Sequence, residues 1–419
     1  MDINNLLKGV NCSCGRVHTC NIEYVYIEKN AAKRLEEICR EYKSILLVAD
    51  ENTFSAAGGS TEAALSDKEL KKVIFSGKEL LVPNEKAIKA VEDELSGVEL
   101  IIGIGSGVIQ DLCKYVSHYN KIPYMVVATA PSMDGYASDG AAMITDGMKV
   151  TYPAGLPRAI LADTCVLAAA PIDMIKSGYG DVIGKFSALN DWKLSHLVTN
   201  EYFCDYIYDL TFNEVKRTTY LAGGILKRDE ESIKTLMEAL VIIGILMSFA
   251  GSSRPASGSE HHFSHFFEIT GIVKGEEYFP HGIDVAYSTV ITAEMREKLL
   301  KIKFPEKSYR PEKEHYEKEM QRVYGEVAEG CIALQKKVGN YSNDRTAVYL
   351  EKEQEIKRVL AEMPSAAEIK RLLSLAELDT DEFYKLYGER IKDATIYAKE
   401  LKDRYTVLWL YFDMLGENA

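Results

Sequence analysis

The sequence lacks a basic surplus. Its 419 residues carry 50 Lys and Arg against 63 Asp and Glu, a formal net charge of -13. A surface of that sign has little with which to displace counterions from phosphates, which argues against a nucleic-acid partner and against docking on an anionic membrane. Long hydrophobic runs are also missing. The longest apolar stretch, residues 239–250 (ALVIIGILMSFA), is too short to span a bilayer and reads as a buried helix. No charged, then apolar, then small-residue leader follows Met1, where Asp2-Ile3-Asn4-Asn5 runs straight into mixed residues. A cytoplasmic protein is expected. Cysteine is scarce as well: eight residues spread from Cys12 to Cys331 make no disulfide scaffold and are expected to stay thiols in a reducing cytosol. One local group, Cys12, Cys14, His18 and Cys20, offers four soft ligands to zinc. It lacks the second CxxC or HxxxH arm of established zinc modules, so a Gly-containing β-turn is the favoured reading.

What is present is an ordinary globular composition, 47% hydrophobic and 27% charged. The length exceeds one hydrophobic core and suggests two domains. In the first part strands and helices alternate. Residues 23–27 have strand character, 31–42 helical periodicity, and Ser44 to Asp50 form a continuous apolar run closed by an acid, as a buried parallel strand does. Residues 72–75 and 80–82 are shorter strand candidates, and 84–95 is a further helix. Such alternation points to an α/β layer.

The run Leu100 to Tyr115 says more. An apolar strand breaks into Gly105-Ser106-Gly107, and helical spacing resumes at Val108 and Ile109. Glycines there let the backbone approach a pyrophosphate, whose charge meets free N–H groups at the helix start. In the usual dinucleotide fingerprint the ribose-binding acid follows the glycines by about 20 residues; here Asp50 precedes Gly105 by 55 (105 − 50). A second strand, 124–128, leads into Thr129-Ala-Pro-Ser132-Met-Asp134-Gly-Tyr-Ala-Ser138, a polar loop where open α/β sheets bind ligands.

Residues 149–152 read as one hairpin arm and 156–163 lead to a last strand-like segment. From Pro171 the periodicity is helical, which puts the domain boundary near residue 170. Four of the eight histidines fall within residues 261–282. His261 and His265 are four apart and share one helix face, and His281 stands between Pro280 and Gly282 at a loop or helix start. Two or three imidazoles converging on one point suit a transition metal or a proton donor beside one. Asp181, in the glycine-rich opening of the helical half, either caps a helix or adds a carboxylate to such a set. The Lys- and Glu-rich segment 301–357 reads as solvated helix faces. Trp409, Tyr411 and Phe412 form an apolar face that is either core or oligomer contact.

Five motifs, GIGSGVIQD (103–111), TAPSMDGYAS (129–138), GYGDVIGKFSALNDWKL (178–194), RPASGSEHHFSHFFE (254–268) and FPHGIDVAYST (279–289), resemble those of one superfamily. It comprises the iron-containing alcohol dehydrogenases, glycerol dehydrogenases and dehydroquinate synthases, and the closest likeness is to the bacterial branch of its glycerol-1-phosphate dehydrogenases. The resemblance covers residues from about 20 to 300. It implies an α/β nucleotide-binding domain with a parallel sheet over 1–170, followed by an all-α, metal- and substrate-binding domain over 171–419, as in dehydroquinate synthase.

Residue by residue, the resemblance implies that Asp181, His261 and His281 bind a divalent metal, nickel, zinc or iron. It gives Asp134, His265 and again Asp181 contact with substrate, and Gly105, Ser106, Gly107, Val108, Ile109, Thr129, Ser132 and Ser138 contact with NAD or NADP. Asp50 is expected at the adenosine ribose, where its charge repels a 2′-phosphate and favours NADH. The implied reaction is reversible reduction of dihydroxyacetone phosphate to sn-glycerol 1-phosphate, in a homodimer or larger homo-oligomer. Rival readings are a dehydrogenase for glycerol or another polyol, a dehydroquinate-synthase-like lyase, and a nucleotide-binding protein without catalysis. The lyase needs a dense set of cations, for which Lys185 and Arg254 are the nearest candidates. His262 is left without a role.

Overall fold

The computed structural model describes residues 3–79, 81–145 and 148–418. The chain forms two compact units, Met1–Val182 with Tyr220–Ser253, and Ile183–Thr219 with Arg254–Ala419.

In the first unit a small hairpin, β1 (Val10–Asn11) and β2 (Val17–His18), precedes β3 (Tyr24–Glu28), β4 (Ser44–Asp50), β5 (Glu69–Phe75), β6 (Leu100–Gly105) and β7 (Tyr124–Ala128). A second antiparallel hairpin, β8 (Gly140–Thr145) with β9 (Met148–Pro153), comes before β10 (Ala159–Asp163). Six of these strands make one sheet in the order β3-β10-β7-β6-β4-β5, and every neighbouring pair is parallel. Every residue of β6 and β7 is buried, which is why both are unbroken apolar runs rather than alternating ones.

Local sequence explains where expectation and structure part. A helix over Glu51–Ala64 follows β4, although its moderately apolar sequence has no clear apolar stripe. It starts because Asp50 accepts from Asn52 N and Thr53 N while the Thr53 hydroxyl meets Asp50 N, a reciprocal cap. The helix expected over 31–42 shrinks to a 3₁₀ turn, Ala31–Arg34, and one α-turn, Leu35–Ile38. Of the strand candidate 80–82, Leu81 and Val82 lie in no strand and Leu80 is outside the described residues; Pro83, which follows, has no N–H to give a ladder.

The apolar stretch 239–250 is the inner half of the helix Glu230–Ala250, started by Asp229 and stopped by Gly251 at φ 67°. That helix is long and apolar enough to cross a membrane, but 78% of its most apolar window is buried inside the protein.

The second unit is helical. The later turns of the helix Ile172–Thr199 are joined by the helices Asp205–Thr218, Ser259–Lys274 and His281–Lys301, and by shorter ones ending at Val407–Leu415. Asp191 organises its centre: one carboxylate oxygen accepts from Arg296 (2.8 Å) and from Val407 N (2.8 Å), and the other from Ser259 N (2.6 Å). A single buried acid thus pairs a buried guanidinium and satisfies first-turn N–H groups of two helices. Trp409, Tyr411 and Phe412 are all buried within the chain's own core.

Candidate active site

In the first unit, the C-terminal ends of β4, β6 and β7 lie side by side. Gly105 pairs in register with Ala128, and Val48 with Gly103, so Asp50 stands level with Gly105 one strand away. The 55-residue separation in sequence is therefore a single step across the sheet. A Cβ on Gly105 would come within 2.7 Å of Ile109, and one on Gly103 within 2.9 Å of Cys113 Sγ and of Gln110 Oε1, so strand and helix meet only through glycine. Ser106 is the N-cap of the helix Gly107–Asn120 and makes no side-chain bond to its first turn. The N–H groups of Gly107, Val108 and Ile109, in the helix's first turn, have no intrahelical acceptor. Buried Gln110 fixes this turn by donating to the carbonyls of Gly103 (3.0 Å) and Gly105 (3.2 Å).

The loop after β7 is held from several sides. Thr129 N donates to Gly105 O at 3.3 Å, and Ser177 Oγ to Ser132 O at 3.0 Å. The fully buried Lys114 ammonium reaches Gly135 O (2.9 Å), Gly140 O (2.9 Å) and Ser138 Oγ (3.2 Å), so the Ser138 hydroxyl is part of the loop's own bracing. Two glycines admit neighbouring helices: a Cβ on Gly178 would fall 1.8 Å from Pro131 O, and one on Gly244 2.8 Å from Asp134 O. At the end of this loop the Asp134 N–H donates to Asp181 Oδ2 at 3.0 Å, and Asp181 itself is fully buried.

In the second unit three imidazoles gather. Ring centroids are 5.1 Å apart for His261 and His281, 6.3 Å for His261 and His265, and 5.7 Å for His265 and His281. His261 Nδ1 lies 2.7 Å from Glu260 Oε1, and His281 Nδ1 3.4 Å from Ser264 Oγ. A buried carboxylate on Nδ1, as at His261, is the arrangement that orients metal-bound histidines to ligate through Nε2. Glu260 is itself held by the Gly258 N–H at 2.8 Å, and burial raises its carboxyl above the usual range. His262, the neighbour without an assignment, is fully buried; burial, followed by the nearby Arg404, Lys402 and Arg254 cations, pulls its pKa well below the usual imidazole value. It is a neutral core residue.

Within the second unit His261 and His281 come together as imidazole donors, and within the first His18 Nε2 lies 3.5 Å from Cys14 Sγ. A carboxylate added to two such imidazoles would make the three-ligand set of an open, catalytic type of site.

Comparison with known proteins agrees with this chemistry. The family described as iron-containing alcohol dehydrogenase matches residues 26–171. The glycerol-1-phosphate dehydrogenase [NAD(P)+] of Geobacillus thermodenitrificans is 35% identical over 281 residues, 65% of this chain and 70% of the relative. The chain belongs to the glycerol-1-phosphate dehydrogenase branch of the iron-containing alcohol dehydrogenases. A second glycerol-1-phosphate dehydrogenase [NAD(P)+], from Bacillus licheniformis, is 28% identical over 405 residues, 95% of this chain and 90% of its own. The iron-containing alcohol dehydrogenase of Thermotoga maritima shares the fold, with a TM-score of 0.59 at 13% identity over 96% of this chain and all of that one. Against that glycerol-1-phosphate dehydrogenase background, three residues that sequence patterns do not reveal stand out: Glu260 behind His261, and Gln110 and Lys114 behind the loops. Arg254 serves structure, with its guanidinium committed to Glu201, Ser195 and Tyr405 O.

Proposed function

We propose that the protein reduces dihydroxyacetone phosphate to sn-glycerol 1-phosphate, reversibly and with NADH or NADPH, as a soluble cytoplasmic enzyme. The observation that carries the proposal is the imidazole pair His261 and His281, with the Nδ1 atoms of both already held by Glu260 and Ser264; Asp181 is proposed as the third ligand. Those residues fit a divalent cation, of nickel, zinc or iron type. When bound, such a cation supplies Lewis-acid polarisation of the C2 carbonyl, and the nicotinamide supplies the hydride.

The chain's own residues do the rest. The Asp134 N–H fixes the Asp181 carboxylate, so that its orientation is set before substrate arrives. His265, on the same helix face as His261 and half-buried, orients the substrate hydroxyls and carries the proton that the C2 oxygen gains. In the α/β part up to residue 170, the first-turn amides after Ser106 bind the cofactor pyrophosphate, with Thr129, Ser132 and Ser138 lining the adjoining loop. Asp50, level with Gly105, meets the adenosine ribose through its second carboxylate oxygen and favours NADH over NADPH. The helical part from residue 171 holds metal and substrate.

Arg254 is committed to Glu201, Ser195 and Tyr405 O, which weakens the lyase reading. The test is NADH oxidation by purified protein reconstituted with each metal, with dihydroxyacetone phosphate and with dihydroxyacetone as alternative substrates. Turnover of the phosphorylated ketone alone is expected. Turnover of the unphosphorylated ketone alone selects a polyol dehydrogenase, and no oxidation with either refutes the proposal.

A further inference from the structure

Beyond the reach of the motif resemblance, the second unit returns to its two histidine-bearing helices. The helices Ser259–Lys274 and His281–Lys301 are joined by residues 275–280, of which Gly275 to Tyr278 are exposed. Gly275 closes the first helix at φ 66°, and Pro280 precedes the second without a side-chain cap. An exposed link of this kind has few contacts of its own to decide where His281 stands relative to His261. That decision falls to a later segment, the helix Thr380–Tyr387 and the start of the helix Arg390–Tyr397.

Tyr387 holds the turn on both sides of His281. Its hydroxyl accepts from the N–H of Phe279, two residues before His281, at 3.0 Å, and lies 2.9 Å from each carboxylate oxygen of Asp284, three residues after it. The one phenol hydrogen is donated to that carboxyl group. Burial raises the phenol above its usual pKa, so the hydrogen stays in place. The ring lies flat on Phe267, with centroids 3.7 Å apart and planes at 6°, and Phe267 belongs to the helix that carries His261 and His265. One side chain thus touches both histidine helices. Arg390 ties the link itself. Its guanidinium reaches Glu276 Oε2 (3.0 Å) and Glu277 O (3.2 Å) in the link, and Phe267 O and Thr270 Oγ1 (each 3.3 Å) on the first helix. It also sits over the Tyr387 ring at 5.0 Å, so the two side chains brace each other.

We propose that Tyr387 and Arg390 are positioning residues of the metal site, fixing the turn that presents His281 against the helix that presents His261. This rests on the reading of both histidines as ligands, and it gives a part in the site to residues that the motifs do not cover. With the rings already 5.1 Å apart, a cation meets two donors whose separation is set by folding, and little ordering is left to the binding step. Removing either tie leaves both imidazoles present but frees the turn between them, so affinity for the metal falls.

The test titrates full-length protein with nickel against a competing chelator. Tyr387→Phe keeps the ring on Phe267 and removes the hydroxyl; nickel affinity is expected to fall by about 10-fold. Tyr349→Phe is the control, because it takes an equivalent hydroxyl from buried Asp413 (2.6 Å) in the same unit. It is expected to lower the urea midpoint while nickel affinity stays at the wild-type value. Should Tyr387→Phe fail to fold, Arg390→Gln reports instead, with a loss of similar size that Arg390→Lys recovers in part. Nickel bound equally by wild type and His281→Ala would sink the ligand reading and this proposal with it. Nickel lost on His281→Ala but held at wild-type affinity by Tyr387→Phe and Arg390→Gln would overturn the positioning role alone. An equal loss of affinity in Tyr349→Phe would reduce the effect to general destabilisation and overturn it too.

Discussion

Gly178→Ala is a small change with a large expected effect. The new Cβ would stand 1.8 Å from Pro131 O and 2.8 Å from its carbonyl carbon. Helix and loop must separate by about 1.2 Å (3.0 − 1.8) before the contact reaches the 3.0 Å below which real Cβ contacts essentially never fall. Pro131 lies three residues before Asp134, whose N–H holds Asp181 Oδ2 at 3.0 Å, and one before Ser132, whose carbonyl accepts from Ser177. Overpacking of this kind costs about 1–3 kcal/mol, offset by up to ~1 kcal/mol from replacing a helical glycine with alanine. A net loss of about 1–2 kcal/mol leaves a folded enzyme. Misplacement by about 1 Å at reacting groups costs on the order of 100-fold in rate, so kcat is expected to fall by about that factor. Gly330→Ala is the control, because nothing lies within 4 Å of its Cβ position on the helix Ala328–Val338. It is expected to gain roughly 0.5–1 kcal/mol with kcat unchanged. Urea unfolding and dihydroxyacetone-phosphate-dependent NADH oxidation read both quantities. A Gly178→Ala enzyme with the wild-type urea midpoint and a kcat within about twofold would refute the reasoning.

Two further outcomes follow from the second unit. Glu260→Gln keeps an acceptor for His261 Nδ1 but removes the charge, so affinity for the proposed catalytic metal is expected to fall by about 10–100-fold in a competitive chelator titration; equal affinity would refute the supporting role. Asp284 is fully buried against the Tyr387 hydroxyl, 2.9 Å from either carboxylate oxygen, and burial raises its pKa well above the usual carboxylate range. The folded state then keeps a proton that the unfolded chain gives up near pH ~4, so the contribution is complete below that pH and is lost as pH rises toward the raised value. Asp284→Asn cannot ionise. Its stability relative to wild type is expected to climb with pH above ~4, by up to ~1.4 kcal/mol per unit, in urea melts; parallel curves would show that Asp284 does not titrate abnormally.

Sequence pattern read the parts of this protein whose cause is local. The buried run of β4, the strand–glycine–helix break at Gly105 and the i, i+4 pair His261 and His265 all lie where periodicity and spacing put them. What escaped depends on partners far along the chain. Asp50 looked misplaced because distance was counted in residues, whereas β4 and β6 are adjacent in the sheet. The helix Glu51–Ala64 shows little amphipathic pattern and is announced only by its reciprocal cap. Lys114 would ordinarily point to water, yet it is fully buried because three loop oxygens lie within its reach. Glu260 is adjacent to His261, but nothing in sequence fixes which way its carboxylate turns.

The buried bracing of the two loops proposed to hold the cofactor has a kinetic consequence. Gln110 holds the first turn through the Gly103 and Gly105 carbonyls, and Lys114 ties the second through Gly135, Ser138 and Gly140. Neither tie is made by the ligand. The ordering entropy of these loops is therefore charged to folding, and a dinucleotide bound as proposed would meet a cradle already in its final shape. Association should then be a single-exponential encounter governed by diffusion and orientation, without a slow closing phase.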